Sequence, residues 1–195
     1  MPLNLPVISA SLDPTSRSRK LAQRAAALLL EAGHAVDLVD LAEVSLVPFD
    51  NSTVFDTAEF RRLHKLIYSA DAIVLAFPIY NWAPPAQLKS LIEATGATGD
   101  GANIAAWFDK PVTFLCSAGL PHSYMATGAL AQSLMLDFKC VINPYVGYFA
   151  GEDWLDVEAN LLTPDREARL TKTLAVHEEL AVLVRQRTYT SEWEV

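Results

Sequence analysis

Ala72-Ile73-Val74-Leu75-Ala76-Phe77-Pro78-Ile79-Tyr80-Asn81 begins with six apolar residues in a row, meets a proline and then turns polar. A strand covered on both faces reads as an unbroken apolar run, because neither side of its pleat meets water. The run therefore predicts a buried central strand over 72–77. Working outward, Leu5 to Ala10 and Pro111 to Cys116 are similar short runs. Val36 to Leu41 and Val141 to Phe149 complete a set of five strands, the last roughened by Pro144 and Gly147. Between them, apolar residues recur at helical spacing. Leu21, Ala25, Leu28 and Leu29 mark one helix, ended by Gly33 as a C-cap glycine. Phe60, Leu63, Leu66 and Ile67 mark a second, and Leu88, Leu91 and Ile92 a third that starts near Pro85. Ala126–Phe138 carries Leu130, Leu134 and Phe138 on one stripe. Thr163-Pro164 opens a last helix over 164–187, with Leu170, Leu174, Ala181 and Val184 on one face and a short tail behind it. Strands alternating with helices imply an α/β fold, a mostly parallel sheet with right-handed crossovers and helices on both faces.

The chain has 195 residues, and no repeat or linker divides it. One domain over 1–195 is expected, large enough to bury about 70% of its unfolded surface without a staple. Hydrophobic residues at 51% and charged residues at 19% exclude a disordered chain. Fifteen Lys and Arg against 23 Asp and Glu leave a net charge of −8, which argues against a nucleic-acid partner. Met1 to Pro6 lacks the basic start of a signal peptide, and no apolar run approaches the roughly 18 residues of a membrane span. A cytoplasmic protein without a membrane partner is the expectation. Cys116 and Cys140 form neither a disulfide framework nor a zinc spacing, and His34, His64, His122 and His177 lie far apart, so no metal is expected.

In open parallel sheets ligands bind beyond the carboxyl ends of the strands, near the point where strand order reverses. That rule nominates the loops after Ala10, Phe77 and Cys116. The first holds Ser11, Thr15, Ser16 and Ser18 and opens a helix, whose free N–H groups and positive dipole end suit a phosphate. Capping alone would explain one of these hydroxyls; four within eight residues exceed what a cap uses. The loop has neither Gly-x-x-x-x-Gly-Lys-[Ser/Thr] nor Gly-x-Gly-x-x-Gly, which excludes a P-loop and a standard dinucleotide site. The second loop, Pro78 to Pro85, is aromatic and stiffened by proline. It suits the face and edge of a flat heterocycle, or is a packed strand-to-helix turn. The third, Ser117-Ala118-Gly119-Leu120-Pro121-His122, is small-residue backbone that a ring's polar edge could approach at Gly119. Cys116 has no neighbouring base and reads as a small hydrophobe, and His122 as a surface histidine or a substrate contact.

From about Val7 to Gly151 the chain resembles the NAD(P)H-dependent FMN reductase family, a flavodoxin-like group that includes quinone, azo-dye and chromate reductases. Ser11 to Leu21 is similar to the family's Ser-Leu-Arg-x-x-Ser-x-Asn phosphate loop. Pro78-Ile79-Tyr80-Asn81 through Pro85 and Leu88-Lys89 resembles Pro-Glu-Tyr-Asn-Gly-x-x-Pro-x-x-Leu-Lys, and Ser117-Ala118-Gly119 resembles Ser-Ala-Gly-Gly. The resemblance implies a flavodoxin-like, doubly wound five-stranded parallel sheet of order 2-1-3-4-5. It implies FMN as cofactor, NADPH or NADH as electron donor, and a small electron acceptor such as free flavin or a quinone. Carried over by position, Ser11, Ser16 and Ser18, with Arg17 beside them, would meet the FMN phosphate. Pro78, Ile79, Tyr80, Asn81 and Trp82 would meet the isoalloxazine, and Ser117, Ala118 and Gly119 its polar rim. No side chain is implied as catalytic, since the flavin carries the chemistry. The sequence departs from the family at Asp13 for arginine, Ser18 for asparagine, Trp82 for glycine and His122 for glycine. A homodimer or homotetramer is also expected, because the helix after Pro85 and the stretch Tyr145–Trp154 hold more apolar surface than one small sheet can cover. The rival reading on the same fold is an FMN-binding electron carrier or regulatory module without turnover.

Overall fold

A computed structural model describes residues 1–97 and 104–191; the tail's last four residues fall outside this range. Five strands, β1 (Val7–Ser9), β2 (Leu38–Asp40), β3 (Ile73–Pro78), β4 (Pro111–Ser117) and β5 (Val141–Ile142), pair in parallel. Their order is β2-β1-β3-β4-β5, as the resemblance implies, and β6 (Gly147–Phe149) also pairs in parallel with β4. Alternation along β3 sends side chains into two separate cores. Ile73, Leu75 and Phe77 join the core of α2 (Ala58–Ser69), α3 (Ala86–Gly96) and α4 (Gly128–Phe138). Val74 and Ala76 join that of α1 (Arg17–Glu31) and α5 (Pro164–Arg185). Leu21, Ala25 and Leu29 of α1 and Leu170 and Leu174 of α5 are buried there, each leucine contributing about 2 kcal/mol of transfer free energy. Past α1, Gly33 takes φ +88°, which lets the N–H of His34 reach the carbonyl of Leu29.

The predicted fifth strand is broken in two. Val141 and Ile142 pair with Pro111 and Val112, and Gly147 to Phe149 with Leu115 to Ser117. Between them the buried Asn143 amide donates to Thr113 Oγ1 at 2.9 Å and to the Thr173 carbonyl at 3.0 Å, pulling the chain off the ladder before Pro144. Thr113 Oγ1 also meets His177 Nδ1 at 2.9 Å, so Thr113, Asn143 and His177 form one polar network inside the core. Burial pushes the His177 imidazole down to about 3.

Other boundaries also shift. Residues Pro121–Thr127 wind as a 3-10 turn, so α4 starts at Gly128 instead of Ala126. β2 keeps only the middle of Val36–Leu41. A short antiparallel hairpin, β7 (Trp154–Asp156) and β8 (Leu161–Leu162), precedes α5 and is too brief to show a period in the sequence. Pro78 and Ser117 end their strands instead of opening loops. The N–H that proline lacks would face the β1 side, where the ladder has already stopped at Ser9 opposite Ala76. The surface argument for oligomers moves too. Leu88, Leu91 and Ile92 are buried, as are Phe149 and Trp154. Tyr145 stays exposed, and among the other exposed apolar side chains Leu120, Tyr124, Met125, Met135 and Leu136 fall close together in the chain, around the 3-10 turn and on α4. Among the described residues no helix is long and apolar enough to cross a membrane.

Candidate functional site

β1, β3 and β4 are neighbours, so the loops leaving their carboxyl ends share one edge. The N–H of Ala10 donates to Ala76, and that of Ile79 to Ser117, at 2.9 and 3.0 Å.

In the first loop Ser11, Ser16 and Ser18 are buried, and the Ser16 and Ser18 hydroxyls share a hydrogen bond of 2.8 Å. Ser16 is the N-cap of α1, yet its side chain caps nothing, and the first turn holds no acidic residue. Among the described residues, the free N–H groups that begin any helix are thus left without a side-chain acceptor and without a carboxylate in the first turn. Thr15 belongs to a different group: its N–H and hydroxyl both donate to Asp13 Oδ1 at 2.8 Å. Those bonds hold the exposed Asp13 carboxyl below its usual range, and they turn it toward Thr15. Arg17 is exposed and reaches across to the chain after β6, where a Cβ on Gly151 would lie 3.2 Å from its Nη1.

Arg19 organises this loop, and the sequence reading missed it. Its Nη2 donates to the Ser11 carbonyl at 2.8 Å, and its guanidinium also bonds the Asp13 carbonyl and the Asp40 carboxylate at the end of β2. A legible signal existed, since a cation in a helix's first turn opposes the dipole and calls for another use.

In the second loop Asn81 and Trp82 are both left-handed, with φ of 50° and 62°. Tyr80 N–H donates to Ala83 at 3.0 Å and Ala83 N–H to Tyr80 at 2.9 Å, the pattern of a two-residue type I′ turn. This turn pushes Tyr80, Asn81 and Trp82 into solvent, while Pro78 is buried and Ile79 half-buried. The packed-turn reading of the loop therefore fails for its aromatics. In the third loop Ser117 is buried, Ala118 half-buried and Gly119 exposed, with open space where a Cβ on Gly119 would stand. The Trp82 and His122 rings meet across the two loops, with centroids 5.4 Å apart and planes at 30°.

Beside the first loop a cleft of about 380 Å³ opens between Leu12, the segment Leu41–Pro48 and the start of α3. A larger groove of about 640 Å³ lies elsewhere, between α1, the β7–β8 hairpin and α5, remote from these loops. The edge is the chemically apt place, because it joins a bare helix N-terminus with buried hydroxyls to exposed aromatics. Cys116 is buried and burial pushes its thiol far up, which removes it as a nucleophile. Among the described residues no three His, Cys, Asp or Glu side chains come together as a metal site.

The family model described as NADPH-dependent FMN reductase matches residues 3–153. The chain belongs to this family. A quinone reductase of Pseudomonas putida is 30% identical over 145 residues, 72% of this chain and 76% of the relative. An FMN-dependent NADH:quinone oxidoreductase of Bordetella parapertussis is 34% identical over 112 residues, 49% of this chain and 54% of that protein. Among solved structures, a flavoenzyme NAD(P)H:(acceptor) oxidoreductase of Paracoccus denitrificans shares the fold, with a TM-score of 0.70 at 19% identity over 94% of this chain and 98% of that one. The FMN reductase family is one of enzymes, with FMN as cofactor and NAD(P)H as electron donor. The flavodoxin-like fold, the cofactor and the donor implied by the sequence resemblance are thereby borne out. The residues on the edge fit an FMN reductase: a helix N-terminus lined by buried hydroxyls, with no acidic residue in its first turn and the Asp13 carboxylate engaged by Thr15, suits a phosphate, and the exposed aromatic turn suits a flat ring.

Proposed function

We propose that this chain, as one unit over 1–195, binds FMN along the shared edge and reduces small acceptors of the quinone or free-flavin class with NAD(P)H. The observation that carries the reading is the N-terminus of α1, where Ser11, Ser16 and Ser18 are buried and no side chain among the described residues caps the free N–H groups. Those hydroxyls and N–H groups would hold the phosphate, with Arg17 supplying charge from the exposed side. Arg19 would fix the loop by holding the Ser11 and Asp13 carbonyls away from it. Pro78, Ile79, Tyr80, Asn81 and Trp82 would line the ring, and Ser117, Ala118 and Gly119 would approach its polar rim. When bound, FMN supplies hydride acceptance from the nicotinamide and electron donation to the acceptor. The protein's task is then to orient rings and exclude side reactions, which agrees with the burial of its one strand-end thiol, Cys116. Both free cysteines suit a reducing, cytoplasmic setting. The exposed apolar side chains between Leu120 and Leu136 support a homodimer or homotetramer, which light scattering at micromolar concentration would show as a species larger than one chain.

The test is to add FMN, NADPH and a quinone to the purified protein. Stoichiometric flavin uptake with steady NADPH oxidation is expected. Flavin uptake without turnover would favour an electron carrier, and no uptake would overturn the reading.

A further inference from the structure

The second and third loops leave the sheet together, because Pro78 pairs with Ser117, and they touch again where Trp82 stacks on His122. That stack closes the gap between the loops at the mouth of the edge. A flat ring inserted between the two would need about 7 Å, two contact distances of roughly 3.5 Å each. The observed centroid distance of 5.4 Å admits none. The two side chains are alike in exposure and unlike in size: Trp82, in a turn closed by two backbone hydrogen bonds, presents the larger ring, and His122, on the 3-10 turn, the smaller one. The indole is the broader stacking platform, so the imidazole is the half that another ring can replace.

We propose that His122 is a resting partner for the Trp82 indole, displaced when the flat ring of a quinone acceptor enters and takes its place. The identity of the incoming ring rests on the reductase reading; the stack itself is made by protein residues alone. Exchange of partners has a signature that a passive surface contact lacks. Removing the imidazole leaves the indole bare and removes a competitor, so acceptor binding tightens. Removing the indole deletes the stacking platform, so acceptor binding weakens. The two halves of one contact then act with opposite signs, and the stack weakens every ring that must displace His122 by one common factor, the inverse of the fraction of time the indole is free.

The test measures the Kd of 1,4-naphthoquinone by equilibrium dialysis against the FMN-loaded and the flavin-free protein, and its KM with the loaded protein. His122→Ala is expected to lower Kd and KM about two- to tenfold, the usual range for one aromatic pair. Trp82→Gly, which suits the left-handed backbone, is expected to raise both by a similar factor. His122→Phe, a stronger lid, is expected to raise both above wild type. Effects of the same sign for His122→Ala and Trp82→Gly, or no effect of His122→Ala, would overturn the proposal. Failure to take up FMN would instead count against the reductase reading, and dialysis of the flavin-free protein would still decide the stack.

Discussion

One sheet has two edges, and they are finished in opposite ways. Where the strands begin, the polar groups are paired within the chain. Lys110 donates to the last carbonyls near α2, Tyr68 and Ala70, at 2.8 and 2.7 Å. Asp109 is 2% exposed and accepts from the Ser191 N–H and hydroxyl, with Arg187 at 3.4 Å. Asp71 joins the Asn4 N–H to Arg185. Where the strands end, the Ser16 and Ser18 hydroxyls bond each other, α1 goes uncapped, and aromatic rings face solvent. The first edge spends its donors and acceptors within the chain, Lys110 on the end of α2, and Asp71 and Asp109 on the end of α5 and the residues behind it. The second keeps donors in reserve, and a reserve of N–H groups without an acceptor is what an anion site is made of. Stability and binding should therefore respond separately to substitutions at the two edges.

The largest effect is expected at the open edge. Ser16→Asp places a carboxylate at the N-cap, a position where aspartate is well tolerated and favours the helix dipole. It also sits where a phosphate dianion would lie, and two like charges at 4 Å cost about 1 kcal/mol in water and about 4 at intermediate dielectric. FMN affinity should fall by about a hundredfold or more while Tm hardly moves. Riboflavin, which lacks the phosphate, should bind as before; equal weakening of both would place the phosphate elsewhere.

At the closed edge the pattern inverts. Asp109→Ala leaves the Ser191 donors and Arg187 without their acceptor, and it puts alanine at φ 61°, a conformation aspartate tolerates better. A loss of about 2 kcal/mol is expected from the urea midpoint, discounted because Arg187 is partly solvated. FMN affinity should not change. A shift in affinity as large as the shift in stability would erase the distinction between the edges.

Beneath both edges lies the Thr113–Asn143–His177 network, which answers to pH. His177 titrates at about 3 in the folded protein, against an ordinary value of about 6.5 in the unfolded chain. The unfolded state therefore takes up a proton first as pH falls, so stability is full above about pH 6.5 and is lost on the way down to 3. Between pH 7 and 5 this amounts to about 2 kcal/mol. His177→Gln keeps an amide near Thr113 but does not titrate, so its stability should decline less steeply over that interval. Identical pH profiles for the two proteins would mean that His177 is already accessible to protons in the native state.

What the sequence revealed of this follows the range of each interaction. β3 and β4 are legible because Ile73 to Phe77 and Pro111 to Cys116 are apolar on both faces, a local pattern. The three loops follow from strand order, and the hydroxyls of Ser11, Ser16 and Ser18 from their place ahead of α1. The break between β5 and β6 was visible only as Pro144 and Gly147. Its cause, the Asn143 amide reaching Thr113 and Thr173, spans three elements. Thr15 was grouped with the other hydroxyls because a side-chain turn onto Asp13 looks the same in sequence as a phosphate contact. The meeting of Trp82 with His122 depends on how two loops fold over one edge, and no spacing announces it.

The smallest effect sharpens the comparison most. Deleting a buried tryptophan costs about 3–5 kcal/mol, yet Trp82→Gly should change stability by no more than about 0.5. Trp82 is 53% exposed, so little apolar area is lost with it. Its φ of 62° is a conformation that costs an L-residue about 1–2 kcal/mol and glycine nothing. Glycine restores the residue that a type I′ turn favours at this position. Against that relief stand the lost stack on His122 and the extra backbone freedom of glycine in the unfolded chain, each about 0.5–1 kcal/mol. The terms nearly cancel, so the urea midpoint should stay within error of wild type while acceptor binding weakens. Destabilisation above about 2 kcal/mol would show that the indole supports the fold, and the open edge would then carry part of the load assigned here to the closed one.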